Sequence, residues 1–195
     1  LSSAASDVYK RQVVDIARTN AFRYALGYVD GLAREYGVER EELRAYAQRN
    51  CRGLHGIARA FDVFEHMDGR SDNGGESEAR AAMILAGVAA PELQVEITRP
   101  GNAGYYLADY GWQMPNGSWM LAELHGLGKF EDDAQNDPEH TAAKTYRAAL
   151  MRDTNLRAMG HNVIHFKLSD TYDVKAFGSM MRGYGIPTTK PYADS

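Results

Sequence analysis

Asp109 and Glu123 are the residues whose types and spacing point most directly to chemistry. Tyr105 to Trp112 and Trp119 to His125 read as strands, and the Met-Pro-Asn-Gly-Ser between them is a strong hairpin signal. Opposed residues of an antiparallel pair share a constant index sum, and the sum for these two acids, 232, centres the turn on Asn116. A three- or five-residue loop then sets both carboxylates opposite each other on one face. A two- or four-residue loop sets them on opposite faces unless a bulge restores the register. Glu123 shares its face with Leu121 and His125, and its immediate neighbours Ala122 and Leu124 are apolar. A carboxylate in such a strand costs several kcal/mol if buried without a partner. Two opposed carboxylates also repel, and a divalent cation neutralises them; oxygen ligands suit magnesium or manganese. The plainer alternative is a pair of solvent-facing strand acids, or an ion pair of one of them with Arg157 or Lys129.

Other chemistry-bearing residues are weaker candidates. Glu78 lies two residues from Glu76 on a predicted helix, so the two face different directions. His161 and His165, in or beside a fourth strand run, show no third ligand and read as structural. Arg147, Arg152 and Arg157 recur at five-residue intervals and make no single helical stripe, although Arg157 is placed to reach a phosphate. Tyr105, Tyr106, Tyr110 and Trp112 read as packing residues before base-stacking ones. Glu131-Asp132-Asp133 reads as a solvated loop, and no phosphate-binding glycine loop or nucleophile elbow appears.

The elements that must position these residues follow from periodicity. Val13 to Arg18, Ala21 to Tyr36, Glu39 to Arg49 and Gly56 to Phe64 carry apolar residues at helical steps, with Gly37 as a C-cap. Asp, Gly, Ser and Asn cluster at Asp68 to Gly75 as in a linker. Beyond it come a helix from Glu76 to Leu85, a strand from Leu93 to Thr98, the hairpin, a long helix from Thr141 to Met159 ended by Gly160, a strand from Asn162 to Leu168, and a helix from Val174 to Tyr184. The expected fold is α/β or α+β, with a three- to four-stranded mixed sheet flanked by helices and preceded by a small helical segment. The expected divisions are 13–69 for the helical segment, 70–187 for the sheet domain and 188–195 for a tail. Residues 1–12 resemble a translated sequencing adapter at the end of a gene fragment, with the natural N-terminal part missing, and are set aside from fold reasoning.

With 195 residues, 44% apolar and 25% charged, the composition is that of an ordinary globular protein. No apolar run reaches the roughly 18 residues of a bilayer crossing, so no membrane partner is expected. Cys51, the single cysteine, excludes an internal disulfide and a cysteine-based zinc cluster, and it suits the cytoplasm. A formal charge of −4 argues against a strongly basic nucleic-acid coat, though not against a metal-bridged phosphate contact.

The order and spacing of Glu76-Ser-Glu-Ala-Arg80, Pro91-Glu-Leu-Gln94, Leu107-Ala-Asp109, Leu121-Ala-Glu123-Leu-His125-Gly126, Lys129-Phe130 and Arg157-Ala-Met-Gly160 carry a resemblance. Over nearly all of 13–187 the chain is similar to the C-terminal part of actinobacterial proteins related to the very-short-patch-repair endonuclease, within the PD-(D/E)XK restriction-endonuclease-like superfamily. Many of these are labelled AbiEi-type, after type IV toxin–antitoxin and abortive-infection regulators. The resemblance implies a restriction-endonuclease-like domain that hydrolyses DNA phosphodiester bonds with Mg²⁺ or Mn²⁺ in a defence or repair setting. It implies metal ligands from Asp109, Glu123 and Glu76, with Gln94 near them. In such a site the ion polarises the scissile phosphate and activates water. The lysine usual two residues after the second acid is His125 here, a base or ligand near neutral pH, with Lys129 as the substitute cation. Glu123, Asp109, His125 and Lys129 are thus the expected catalytic set, and Gln94 and Arg157 the expected nucleic-acid contacts. The alternative implied function is a non-catalytic regulator of the antitoxin type, a degenerate nuclease fold that binds DNA or a protein such as a cognate toxin.

Overall fold

The structure, a computed structural model, describes residues 3–102, 104–125, 138–190 and 192. Among them are seven α-helices and one four-stranded mixed sheet, an α+β architecture. The chain divides into two compact units, Leu1–Val88 with Thr189–Ser195, and Ala89–Thr188.

The first unit holds α1 (Ser3–Thr19), α2 (Phe22–Tyr36), α3 (Arg40–Asn50), α4 (Ile57–His66) and α5 (Gly74–Leu85). Phe22, Ala25, Leu26, Val29 and Leu32 of α2 are buried at steps of three and four, and they meet Val13, Val14 and Ala17 of α1, Leu43 and Ala47 of α3, and Val63 and Phe64 of α4 in one core. Gly37 closes α2 in the left-handed conformation, φ 64°, and its N–H donates to the Ala33 carbonyl. Residues 3–12 of the adapter-like stretch lie in α1, where Tyr9 packs against this core and Lys10 pairs with Glu42 at 2.6 Å. Helix α5 packs on α2 and belongs to this unit, so the division falls after Val88, later than the linker-like run at Asp68 to Gly75. A buried ion pair explains the attachment: Arg80 of α5 donates to Asp30 of α2 at 2.7 Å, and the Asp68 N–H donates to the same carboxylate at 2.8 Å. Burial pushes the Asp30 carboxyl above its ordinary pKa, against the pull of Arg80.

The second unit is the sheet. Strands β1 (Glu92–Thr98), β2 (Tyr105–Gln113) and β3 (Trp119–His125) run as an antiparallel meander, and β4 (Asn162–Lys167) lies parallel to β3 after the crossover helix α6 (Pro138–Ala158). Helix α7 (Val174–Gly183) follows. The β2–β3 turn is a five-residue loop in which the Met114 N–H donates to the Ser118 carbonyl at 2.8 Å and the Gly117 N–H to the Met114 carbonyl at 2.9 Å. It sets the register at Tyr110↔Ala122, Gly111↔Leu121 and Trp112↔Met120, all with index sum 232. Continued one step past Tyr110↔Ala122, this index sum is the one that sets the two acids at the same level.

Two apolar layers cover the sheet. Leu121 and Val163 pack with Leu156 and Met159 of α6, together with Val95, Ile97, Tyr106 and Ala108. On the other side the Tyr110 ring lies 5.9 Å from Phe166, which lies 5.2 Å from Phe177 of α7. Gly111 is fixed by packing: a Cβ there would stand 2.8 Å from Val95 Cγ2 and 3.0 Å from Trp119 Cε3. Between the pairs Leu93↔Tyr110 and Val95↔Ala108 the β1–β2 ladder skips Gln94 and Asp109. Gln94 is the non-glycine residue with positive φ, 53°, among the described residues. The sheet is therefore irregular at the level of the first candidate acid.

Candidate functional site

Asp109 lies one step beyond the last β2–β3 pair, at the level of Glu123. Its side chain turns across to β3, where Oδ2 accepts the Leu124 N–H at 2.9 Å. The carboxylate thereby does in the ladder what a backbone carbonyl would otherwise do. Glu123, with its side chain 16% exposed, forms an ion pair with Arg152 of α6, and Arg152 also donates to the Leu107 carbonyl of β2. A neighbouring pair repeats the pattern. Asp153, the next residue of α6, is 2.7 Å from Nε2 of His165, and His165 is the β4 residue in register with Glu123. The exposed His125 ring stacks on His165, with centroids 4.7 Å apart and planes at 21°. Helix α6 thus lays an adjacent arginine and aspartate across the facing Glu123 and His165.

The local sequence dictates this. Arg152, Leu156 and Met159 are spaced by four and three, so they share a helical stripe, and its apolar members are pressed on Leu121 and Val163. Arg152 therefore descends onto the same sheet face one turn earlier, where period-two alternation from Leu121 brings Glu123. Asn155 Nδ2 donates to the Tyr106 hydroxyl at 2.8 Å and fixes the helix to β2.

The remaining expected site residues are placed differently. Glu76 lies in the first unit, at the start of α5. There Oε2 accepts the Asp72 N–H at 2.7 Å and Oε1 accepts from Asn73 Nδ2 at 2.8 Å, while Asn73 caps the helix through the Glu76 N–H at 3.1 Å. That is reciprocal N-capping, and it accounts for a carboxylate only 3% exposed. Gln94 stands on β1 at the level of Asp109, where both are skipped by the ladder. Arg157 is exposed near the end of α6. Lys129 lies outside the described residues. The cation that pairs with Glu123 is Arg152, where the sequence offered Arg157 or Lys129. His161 is structural, as its Nδ1 accepts the Trp119 N–H at 3.2 Å and burial lowers its pKa.

Fit to a divalent cation can be judged from the donors. Among the described residues no group of three or more His, Cys, Asp or Glu side chains is arranged to hold a metal ion. One oxygen of Asp109 serves a backbone amide, and Glu123 serves a guanidinium. As placed, this donor set does not form a magnesium or manganese cradle, which needs several oxygens converging on one point at about 2.1 Å.

Two proteins of Mycobacterium tuberculosis are similar to part of this chain. "Uncharacterized protein Rv2248" of strain ATCC 25618 / H37Rv and "Uncharacterized protein MT2308" of strain CDC 1551 / Oshkosh are each 35% identical over 100 residues. The matched stretch is 51% of this chain and spans 36% of the length of either relative. No family model matches the chain, and no solved structure matches it.

Proposed function

We propose that the unit Ala89–Thr188 is a nuclease-like module that binds DNA without cleaving it, in the manner of an abortive-infection regulator. The observation that supports this reading is the use made of the two acids: Glu123 is neutralised by Arg152, and Asp109 completes the β2–β3 ladder. Among the described residues, a reaction that draws on metal-bound water finds no group of three or more ligating side chains to start from. Replacement of the usual lysine by His125 agrees with the same reading. DNA contact would come from exposed basic residues such as Arg157 and from Gln94, with affinity that falls as salt rises.

One observation favours a second reading, a Mg²⁺-dependent endonuclease. The hairpin register, continued one step past Tyr110↔Ala122, sets Asp109 at the level of Glu123, which is compatible with such a site. Supercoiled plasmid incubated with the full chain and Mg²⁺ or Mn²⁺, beside an Asp109→Ala, Glu123→Ala double variant, separates the two. The regulator reading expects no nicking by either protein and a salt-dependent anisotropy change with labelled duplex DNA. Nicking by the unmutated chain that the double variant loses overturns it.

A further inference from the structure

We propose that the helical unit carries a recognition groove for an extended, tyrosine-bearing peptide segment. Tyr192 of the same chain fills the groove, which accepts the same segment of a second copy when Tyr192 withdraws. The proposal stands apart from the nucleic-acid reading above and concerns the other unit.

The segment expected as a tail comes back onto the helices of the first unit. The Tyr192 ring lies 4.4 Å from Phe22 of α2, with planes at 31°, and 6.0 Å from His66 of α4, with planes at 75°. Phe22 and His66 meet edge to face at 5.4 Å and 87°, so the three rings close one aromatic corner. Phe22 is fully buried and forms its floor. The His66 ring is set by its Nδ1–H, which donates to the Asp62 carbonyl at 2.9 Å. At the far end of the tyrosine a charged group reads the hydroxyl, which donates to Asp62 Oδ2 at 3.2 Å. Two backbone bonds align the segment: the Thr189 N–H donates to the Gly87 carbonyl at 2.8 Å, and the Tyr192 N–H to the Ile84 carbonyl at 3.4 Å. Both carbonyls belong to the end of α5, where a helix leaves its last acceptors to outside donors. Main-chain bonds for affinity and a side-chain pocket for specificity are how extended peptides are recognised.

The attachment has one side-chain anchor. Thr188, Thr189 and Lys190 are exposed, and Tyr192 is the residue of this segment that packs against the core. A segment held by one ring opens locally, at a small fraction of the cost of unfolding the unit. Attachment to the same chain gives it an effective concentration on the order of millimolar, so the cis segment excludes a free copy at ordinary protein concentrations. A second copy is the occupant the groove fits, because its segment carries every group that Phe22, Asp62, Ile84 and Gly87 engage.

The probe is a labelled synthetic peptide with the sequence of residues 186–195, titrated with the full chain and followed by fluorescence anisotropy. Tyr192→Ala in the full chain empties the groove, and this variant is expected to bind the peptide at least about tenfold more tightly than the unmutated chain does. The same peptide carrying Tyr192→Ala is expected not to bind. Equal affinity of the two chains, a folded Tyr192→Ala chain that binds nothing, or undiminished binding of the alanine peptide overturns the proposal. Should Tyr192→Ala fail to fold, native-state hydrogen exchange of the unmutated chain carries the test. The Thr189 and Tyr192 amides are then expected to exchange at least about tenfold faster than the Leu26 amide of α2, through an opening that leaves the helices intact. Protection equal to that of Leu26 makes Tyr192 a fixed part of the core and sinks the idea.

Discussion

Asp109 is the residue at which a structural and a catalytic role can be told apart by stability. Its Oδ2 accepts the Leu124 N–H at 2.9 Å, and Leu124 is 9% exposed. Asp109→Ala leaves that buried amide without its acceptor, and the loss of a hydrogen bond to a charged group costs about 1.5–3 kcal/mol. Asp109→Asn keeps an acceptor oxygen at the same reach and loses only the charge assistance, so it should cost about 1 kcal/mol or less. Urea unfolding of the full chain, followed by the fluorescence of Trp112 on β2 and Trp119 on β3, reads this unit directly. Native-state hydrogen exchange of the Leu124 amide supplies the local measurement, with protection lost in the alanine variant and kept in the asparagine variant. A metal-ligand role predicts the reverse for Asn, which keeps shape but is a poor substitute for a ligating carboxylate. Equal destabilisation by Ala and Asn, or a cost for Ala below about 0.5 kcal/mol, would refute the ladder role.

Two further outcomes follow from buried polar groups. Arg80→Ala strands the Asp30 carboxylate, which is fully buried, and should destabilise the helical unit by about 3–5 kcal/mol in urea unfolding followed by circular dichroism; a loss under about 1 kcal/mol would show that water or a neighbour relieves the charge. His161 accepts the Trp119 N–H through Nδ1, so its neutral form is the one the fold holds, and its pKa is depressed by burial. The unfolded chain then binds more protons than the folded one, and stability should fall as pH drops through the ordinary histidine value of about 6.5, levelling below the folded value. His161→Asn, which retains an acceptor, should flatten that part of the pH–stability profile, and an unchanged profile would contradict the argument.

The elements were largely legible because their periodicity is regular. The α2 stripe, the Gly37 cap and the four strand runs are local signals, and packing had only to accept them. The hairpin register was legible to within one residue, and the five-residue loop selected the register with sum 232. What followed from that register was not legible. Opposed acids suggest a shared cation, yet the nature of the cation depends on which helical residue lands above them. Arg152 was visible only as one of three arginines at five-residue spacing, a pattern that hides the Arg152, Leu156, Met159 stripe pressing on the sheet. His165 was read as structural, but its meeting with Asp153 stayed hidden for the same reason, since it depends on the parallel β3–β4 register across a crossover. Glu76 shows how a local signal can be read past: the resemblance pointed to a ligand, while Asp72-Asn73 before a helix start also carries the capping contacts that the structure shows.

The pairing of Glu123 with Arg152 also governs how any mutation at this site must be read. Replacing Glu123 alone leaves a mostly buried guanidinium without its acid, and replacing Arg152 alone leaves a mostly buried carboxylate without its base. Either change disturbs the seating of α6 on β2 through the Leu107 carbonyl, so a lost function in a single variant speaks for packing as much as for chemistry. The coupling between positions 123 and 152 is the informative quantity, because it cancels the separate costs of stranding each charge. Strong coupling in stability with no metal dependence marks an ion pair that holds helix to sheet.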